Sequence, residues 1–145
     1  MMQIIGDSHG AHKLLWVQNT IKNESNGSNY YKVTLPKTII QNFMFKDKIY
    51  FKEVVGNGLK LKLDEKGVFE KFELKPTDRR IIITSGHDSN LDNSYQKISG
   101  DEIATAAISD DNKYNLPIKL ITKRCISNIA YIYNFYTNTL ELQIL

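Results

Sequence analysis

Few residues in this chain are of a type that does chemistry, and their spacing decides what each can contribute. Three histidines, His9, His12 and His87, are too few and too scattered to build a metal site. The single cysteine, Cys125, stands between Arg124 and Ile126, the setting of a small buried hydrophobe more often than of a nucleophile. Gly56-Asn57-Gly58 lacks the third glycine and the following helix of a dinucleotide fingerprint. Tyr131, Tyr133, Phe135 and Tyr136 present rings of the kind that stack on bases, although aromatic residues at strand spacing are more often core or interface. Charge is the stronger signal. Between positions 30 and 62, Lys32, Lys37, Lys46, Lys48, Lys52, Lys60 and Lys62 face only Asp47 and Glu53, an excess that attracts phosphate backbones. Residues 1–75 hold 12 Lys against 8 acids, or +4, and residues 76–145 hold 4 Lys and 3 Arg against 8 acids, or −1.

These residues need elements to hold them. The 145 residues are 41% hydrophobic and 24% charged, which fits one globular domain, or two small ones sharing a core. No apolar run approaches the ~18 residues of a membrane span, and no basic stretch followed by an apolar one opens the chain. One cysteine excludes an intrachain disulfide and a cysteine-built zinc site, so a cytoplasmic protein without membrane, metal or cofactor is expected. Strands are expected at 14–17, 30–35, 48–55, 59–63, 68–74, 80–84, 116–122, 126–136 and 140–145, with a polar, turn-rich loop over 19–29 and another over 87–97. Pro36 ends the strand that alternates Tyr31, Val33 and Leu35 with Tyr30, Lys32 and Thr34, and opens a helix over 37–43. Gly56-Asn57-Gly58 predicts a hairpin joining 48–55 to 59–63, and Thr137-Asn138-Thr139 a turn joining the last two strands. Ser99-x-x-Glu102 reads as a capping box opening a helix over 101–108.

The order Tyr30-Tyr31-Lys32-Val33-Thr34-Leu35-Pro36-Lys37, short helix, Phe43-Met44-Phe45, Lys46-Asp47-Lys48 and strand resembles the AbrB/SpoVT/MazE swapped-hairpin family. The likeness covers 35 to 50 residues, about a third of the chain. Tyr31 and Met44 stand where that family's pattern has glycine, and Lys46-Asp47 shortens its glycine-aspartate turn. The resemblance implies a homodimer with interleaved hairpins that presents basic residues to duplex DNA. On it, Lys32 and Lys37 are the candidate DNA contacts, with Asn29, Tyr30 and Thr34 as neighbours on the same surface. Lysine supplies a point charge without the planar fork of arginine, so affinity for phosphate is expected ahead of base reading.

Ile4-Ile5-Gly6-Asp7-Ser8-His9-Gly10 resembles the opening of the calcineurin-like metallophosphoesterases, which implies two metal ligands, Asp7 and His9, at a strand end. Ser85-Gly86-His87-Asp88 is weakly similar to that family's closing glycine-histidine pair, but the bridging aspartate and the asparagine-histidine pair have no counterparts. The expected protein is therefore α+β and mostly β, with a swapped-hairpin element in 12–75 and a β-rich part with one short helix in 76–145. It is expected to be a non-enzymatic, DNA-binding regulator or antitoxin-like dimer. The alternatives are a protein-interaction module holding a partner through 76–145 and, behind it, a metal-dependent phosphoesterase.

Overall fold

The computed structural model describes residues 2–6, 12–19, 21–25, 28–55, 59–63, 66, 69–73, 79–85, 101–121, 126, 128–134 and 139–145. Among them the order is β1 (Met2–Gly6), β2 (His12–Asn19), β3 (Ile21–Ser25), β4 (Ser28–Thr34), α1 (Lys37–Phe43), β5 (Lys48–Val55), β6 (Leu59–Leu63) and β7 (Phe69–Glu73). There follow β8 (Arg79–Thr84), β9 (Asp101–Ala107), β10 (Lys113–Asn115), a 3-10 turn (Ile118–Leu120), β11 (Asn128–Asn134) and β12 (Thr139–Ile144). The chain is thus mostly β with one short α-helix among the described residues. No helix there is long and apolar enough to cross a membrane.

Seven strands form an antiparallel sheet in the order β1-β2-β11-β12-β8-β5-β9, three form a second in the order β10-β4-β3, and β6 pairs with β7. The large sheet draws strands from both sides of residue 75. Its middle is apolar on alternate positions: Ile49 and Phe51 on β5, Ile83 on β8, Leu140 and Leu142 on β12, and Ile129 and Tyr131 on β11 are all buried. These residues form one cluster with Tyr31, Val33 and Leu35, with Tyr114 and Leu116, and with Ile39 of α1. Period-2 alternation makes this possible, because it turns every second side chain of each layer toward the other. One chain therefore covers the apolar sides of its own β4 and β5.

The helix lies where the sequence predicts. Pro36, at φ −57° and ψ 139°, precedes it, and the Pro36 carbonyl accepts from the N–H groups of Ile39 and Ile40 at 3.0 and 3.1 Å. Met44 ends it in the left-handed region, at φ 52° and ψ 39°, which lets the Phe45 N–H donate to the Ile40 carbonyl at 3.0 Å. That turn carries the chain into Phe45, which is buried and stacked on Phe43 at 5.6 Å.

Four expectations are corrected. The helix over 101–108 is strand β9, paired with β5, because Ala104 lies opposite Phe51 and Ala106 opposite Ile49; small residues beside large ones fill the sheet face, and tertiary pairing overrides the capping-box signal. The polar loop over 19–29 contains β3 and the start of β4, in a register that brings Ser25 opposite Ser28. The expected hairpin between β5 and β6 is absent, since β5 is flanked by β8 and β9 while β6 pairs with β7; a strand as buried as β5 takes neighbours on both sides. Within the strand expected over 116–122, of which residue 122 lies outside the described residues, Ile118–Leu120 instead form the 3-10 turn, set by Pro117, which has no N–H for a ladder and whose carbonyl accepts from Leu120 N–H at 2.9 Å. Gly56-Asn57-Gly58, residues 87–97, Phe135 to Asn138 and Cys125 lie outside the described residues.

Two consequences for stability can be measured. Met44 is 73% exposed, so Met44→Gly removes the cost of a left-handed methionine without opening the core; chemical denaturation is expected to show a gain of about 0.5–1 kcal/mol. Arg80 Nε bonds Glu141 Oε1 at 2.6 Å, with the Glu141 side chain 4% exposed. Arg80→Met takes a charged partner from that buried carboxylate and is expected to cost about 3 kcal/mol, whereas Arg80→Met with Glu141→Leu, which removes the buried carboxylate as well, is expected to cost less.

Candidate nucleic-acid interface

Strand β4 divides its residues between core and surface. Tyr31, Val33 and Leu35 are buried, and Tyr30, Lys32 and Thr34 are half-buried on the opposite side. Lys32 is opposite Ile21 of β3 and Asn115 of β10, and Thr34 is opposite Lys113. Being the middle strand of three, β4 has cross-strand neighbours on both sides, which is why Lys32 is half-buried where alternation alone predicts an exposed side chain. Asn29 lies on the same strand, opposite Glu24 in register. Lys37 is exposed in the first turn of α1.

A tight turn adds charge of both signs at one end of this face. Ser109 N–H donates to the Lys113 carbonyl at 2.8 Å, Asn112 N–H to the Ser109 carbonyl at 3.0 Å and Leu35 N–H to the Asn112 carbonyl at 2.8 Å. Asn112 takes φ 62°, a conformation asparagine tolerates. The Ser109 hydroxyl bonds the Asp111 carboxylate and Lys113 Nζ lies 3.5 Å from it; the hydroxyl first, and Lys113 after it, hold the Asp111 carboxyl below its ordinary range. Lys113 is thereby engaged. The Ile108 N–H donates to the Asp47 carbonyl at 2.8 Å, so exposed Lys46 and Lys48 flank the same turn, with Lys48 Nζ 5.5 Å from the Tyr50 ring centroid. A strand row and a helix start thus bring Lys32, Thr34, Tyr30 and Lys37 to one region, bordered by Lys46 and Lys48 and by one acidic turn.

The other sequence-level candidates fare differently. Tyr131 belongs to the core, and Tyr133 packs edge-on against Phe43 at 5.6 Å, so the first two members of the aromatic stretch are packing residues, while Phe135 and Tyr136 lie outside the described residues. So do Asp7, His9, His87 and Asp88. No group of three or more His, Cys, Asp and Glu that could hold a metal occurs among the described residues. Family models, curated proteins and solved structures contain no match to the chain. Sequence reasoning missed the Arg80–Glu141 pair, whose signal was a lone acid inside the apolar run 140–145.

Tyr131 has a structural task in place of stacking. Its hydroxyl lies 2.8 Å from the Tyr114 hydroxyl and donates to the Thr34 carbonyl at 3.3 Å. Burial pushes both phenols above their ordinary value near 10; the Tyr131 bond lowers Tyr114 in part, while Tyr114 raises Tyr131 further. A phenol whose folded pKa is raised adds nothing adverse below the unfolded value and destabilises the fold as pH rises past about 10, where the unfolded chain alone ionises. Alkaline titration followed by phenolate absorbance is expected to leave these two protonated until the chain unfolds, and Tyr131→Phe to remove one latecomer.

Proposed function

We propose that the protein binds duplex DNA without catalysis, through the outer face of β4 and the start of α1. The observation that carries this reading is the division of β4. Its apolar residues are consumed by the core, so the remaining row, Tyr30, Lys32 and Thr34, is held by the packing beneath it and faces outward beside exposed Lys37. Lys46 and Lys48 extend the basic border. Phosphate contacts of this kind position a protein on DNA, and the lack of arginine in the region favours affinity over base reading. The likeness to the swapped-hairpin family supports the same surface and adds a homodimer. One chain already covers β4 and β5, so exchange of hairpins is not required to bury them. A second copy would join by its surface or by opening this fold, and the mass of the free protein separates a monomer from either dimer.

Lys32→Ala with Lys37→Ala tests the surface. Neither side chain lies in the core, so folding is expected to stay within about 0.5 kcal/mol of wild type for each. Fluorescence anisotropy with several unrelated duplexes over a salt series is expected to show weakening that is similar for all sequences. The slope of log affinity against log salt should become shallower by about two, close to one for each phosphate that a lysine no longer neutralises. A folded double variant with unchanged affinity and slope removes this face from consideration.

A further inference from the structure

A cleft opens where β12 and β8 part. Their ladder runs through Leu140↔Ile83, Glu141↔Ile82 and Leu142↔Ile81 and ends there, although β8 begins earlier, at Arg79, and β12 continues to Ile144. Residues from both faces of the sheet line the opening, and β6 closes over it, with Leu61 N–H donating to Gln143 Oε1 at 2.8 Å. The volume is about 430 Å³, inside the range of small-molecule sites. At about 30 Å³ for each water-sized group, that is room for roughly a dozen heavy atoms.

The lining has two halves. Ile81, Ile103, Leu120, Leu142 and Ile144 make an aliphatic wall, and among the described residues no aromatic ring lines it. Lys60, Arg79, Arg80 and Lys119 supply four cations against two carboxylates, Glu53 and Glu141, a difference of +2. Both acids are engaged, Glu53 with Arg79 at 2.9 Å and Glu141 with Arg80 at 2.6 Å. The surplus charge resides on Lys60 and Lys119, both exposed. A wall of aliphatic side chains beside surplus ammonium groups matches a ligand with one anionic end and one unbranched apolar end; an aliphatic lining argues against a nucleobase, which seeks a stacking partner.

We propose that this cleft binds a small anionic amphiphile, a carboxylate with an aliphatic tail of medium length, its head between Lys60 and Lys119 and its tail along Ile81, Leu120, Leu142 and Ile144. The cleft shares no residue with the Lys32–Lys37 surface, so either reading can fail alone. Titration calorimetry of the full chain with decanoate, decanol and acetate, below the micelle concentration of decanoate, tests it. Decanoate is expected to bind one to one, with decanol and acetate at least tenfold weaker. Lys60→Ala with Lys119→Ala is expected to weaken decanoate at least tenfold, leave decanol unchanged, and keep the circular dichroism spectrum of wild type. Amide shifts on adding decanoate should centre on Ile81, Ile103 and Ile144. No decanoate binding, equal binding of decanol, wild-type affinity in the double variant, or shifts centred elsewhere each overturn the proposal.

Discussion

The apolar side of β4 has to be covered, and most of the architecture follows from how that is done. Tyr31, Val33 and Leu35 form a ridge that the three-stranded sheet cannot bury against itself, because β3 and β10 lie beside β4 in the same layer. The cover comes from Phe51, Ile83, Tyr131, Leu140 and Leu142 of the larger sheet, so strands far apart in sequence must assemble before the ridge is dry. Placing two tyrosines at that seam brings polar atoms into an apolar layer. The cost is met locally: the Tyr114 and Tyr131 hydroxyls satisfy each other and the Thr34 carbonyl. Among the described residues no buried side-chain polar atom lacks a partner. A network of this kind is directional where hydrophobic packing is not, so it sets the position of one layer on the other.

The same strand links the core to the candidate interface. A one-residue slip of β4 would bury Lys32 and expose Val33, and the apolar burial forfeited on one side would exceed anything a surface lysine could recover on the other. The position of Lys32 is therefore held by Tyr31, Val33 and Leu35, residues that would never meet a ligand. α1 follows the same logic on a smaller scale. Seven residues make too few internal bonds for a stable helix alone, and it is Ile39 in the core, with Pro36 before it and left-handed Met44 after it, that fixes where Lys37 begins.

The elements legible in the sequence are those whose signals are local. Pro36, the apolar spacing of Ile39, Ile40 and Phe43, and the alternation in β4 are each read within a few residues; the bounds of α1 and β5 agree with the fold, while β4 starts two residues earlier than its alternation indicates and ends at Thr34. Residues 101–107 mislead because their signals conflict: a capping box and three alanines favour a helix locally, while Phe51 and Ile49 on β5 need small neighbours. Nothing within the segment tells that those neighbours are required. β3 and β10 are illegible for a related reason, since Ile21–Ser25 and Lys113–Asn115 are polar strands whose place is set by β4 between them. Of the candidate interface, the face is legible from period-2 spacing, but the turn that adds Lys113 and Asp111 beside it is not.

The Arg80–Glu141 pair shows why the cleft beside it escapes a reading of the sequence. Arg79 and Arg80 follow each other and so belong to opposite sides of β8; one bonds Glu53 of β5 and the other Glu141 of β12, partners from the two strands that flank β8. Two adjacent arginines thus tie three strands together just where the β8–β12 ladder stops. Apolar residues at the same positions would favour extending the ladder or collapsing the gap, since a void without polar walls leaves its lining with no atoms to pack against. Charged side chains behave in another way: each needs its partner or water, and the cost of losing an arginine is greater for Glu141, which is buried, than for Glu53, which is only half-buried beside an exposed Arg79. The two ion pairs thus stand at the point where the ladder ends, and exposed Lys60 and Lys119 line the opening beside them.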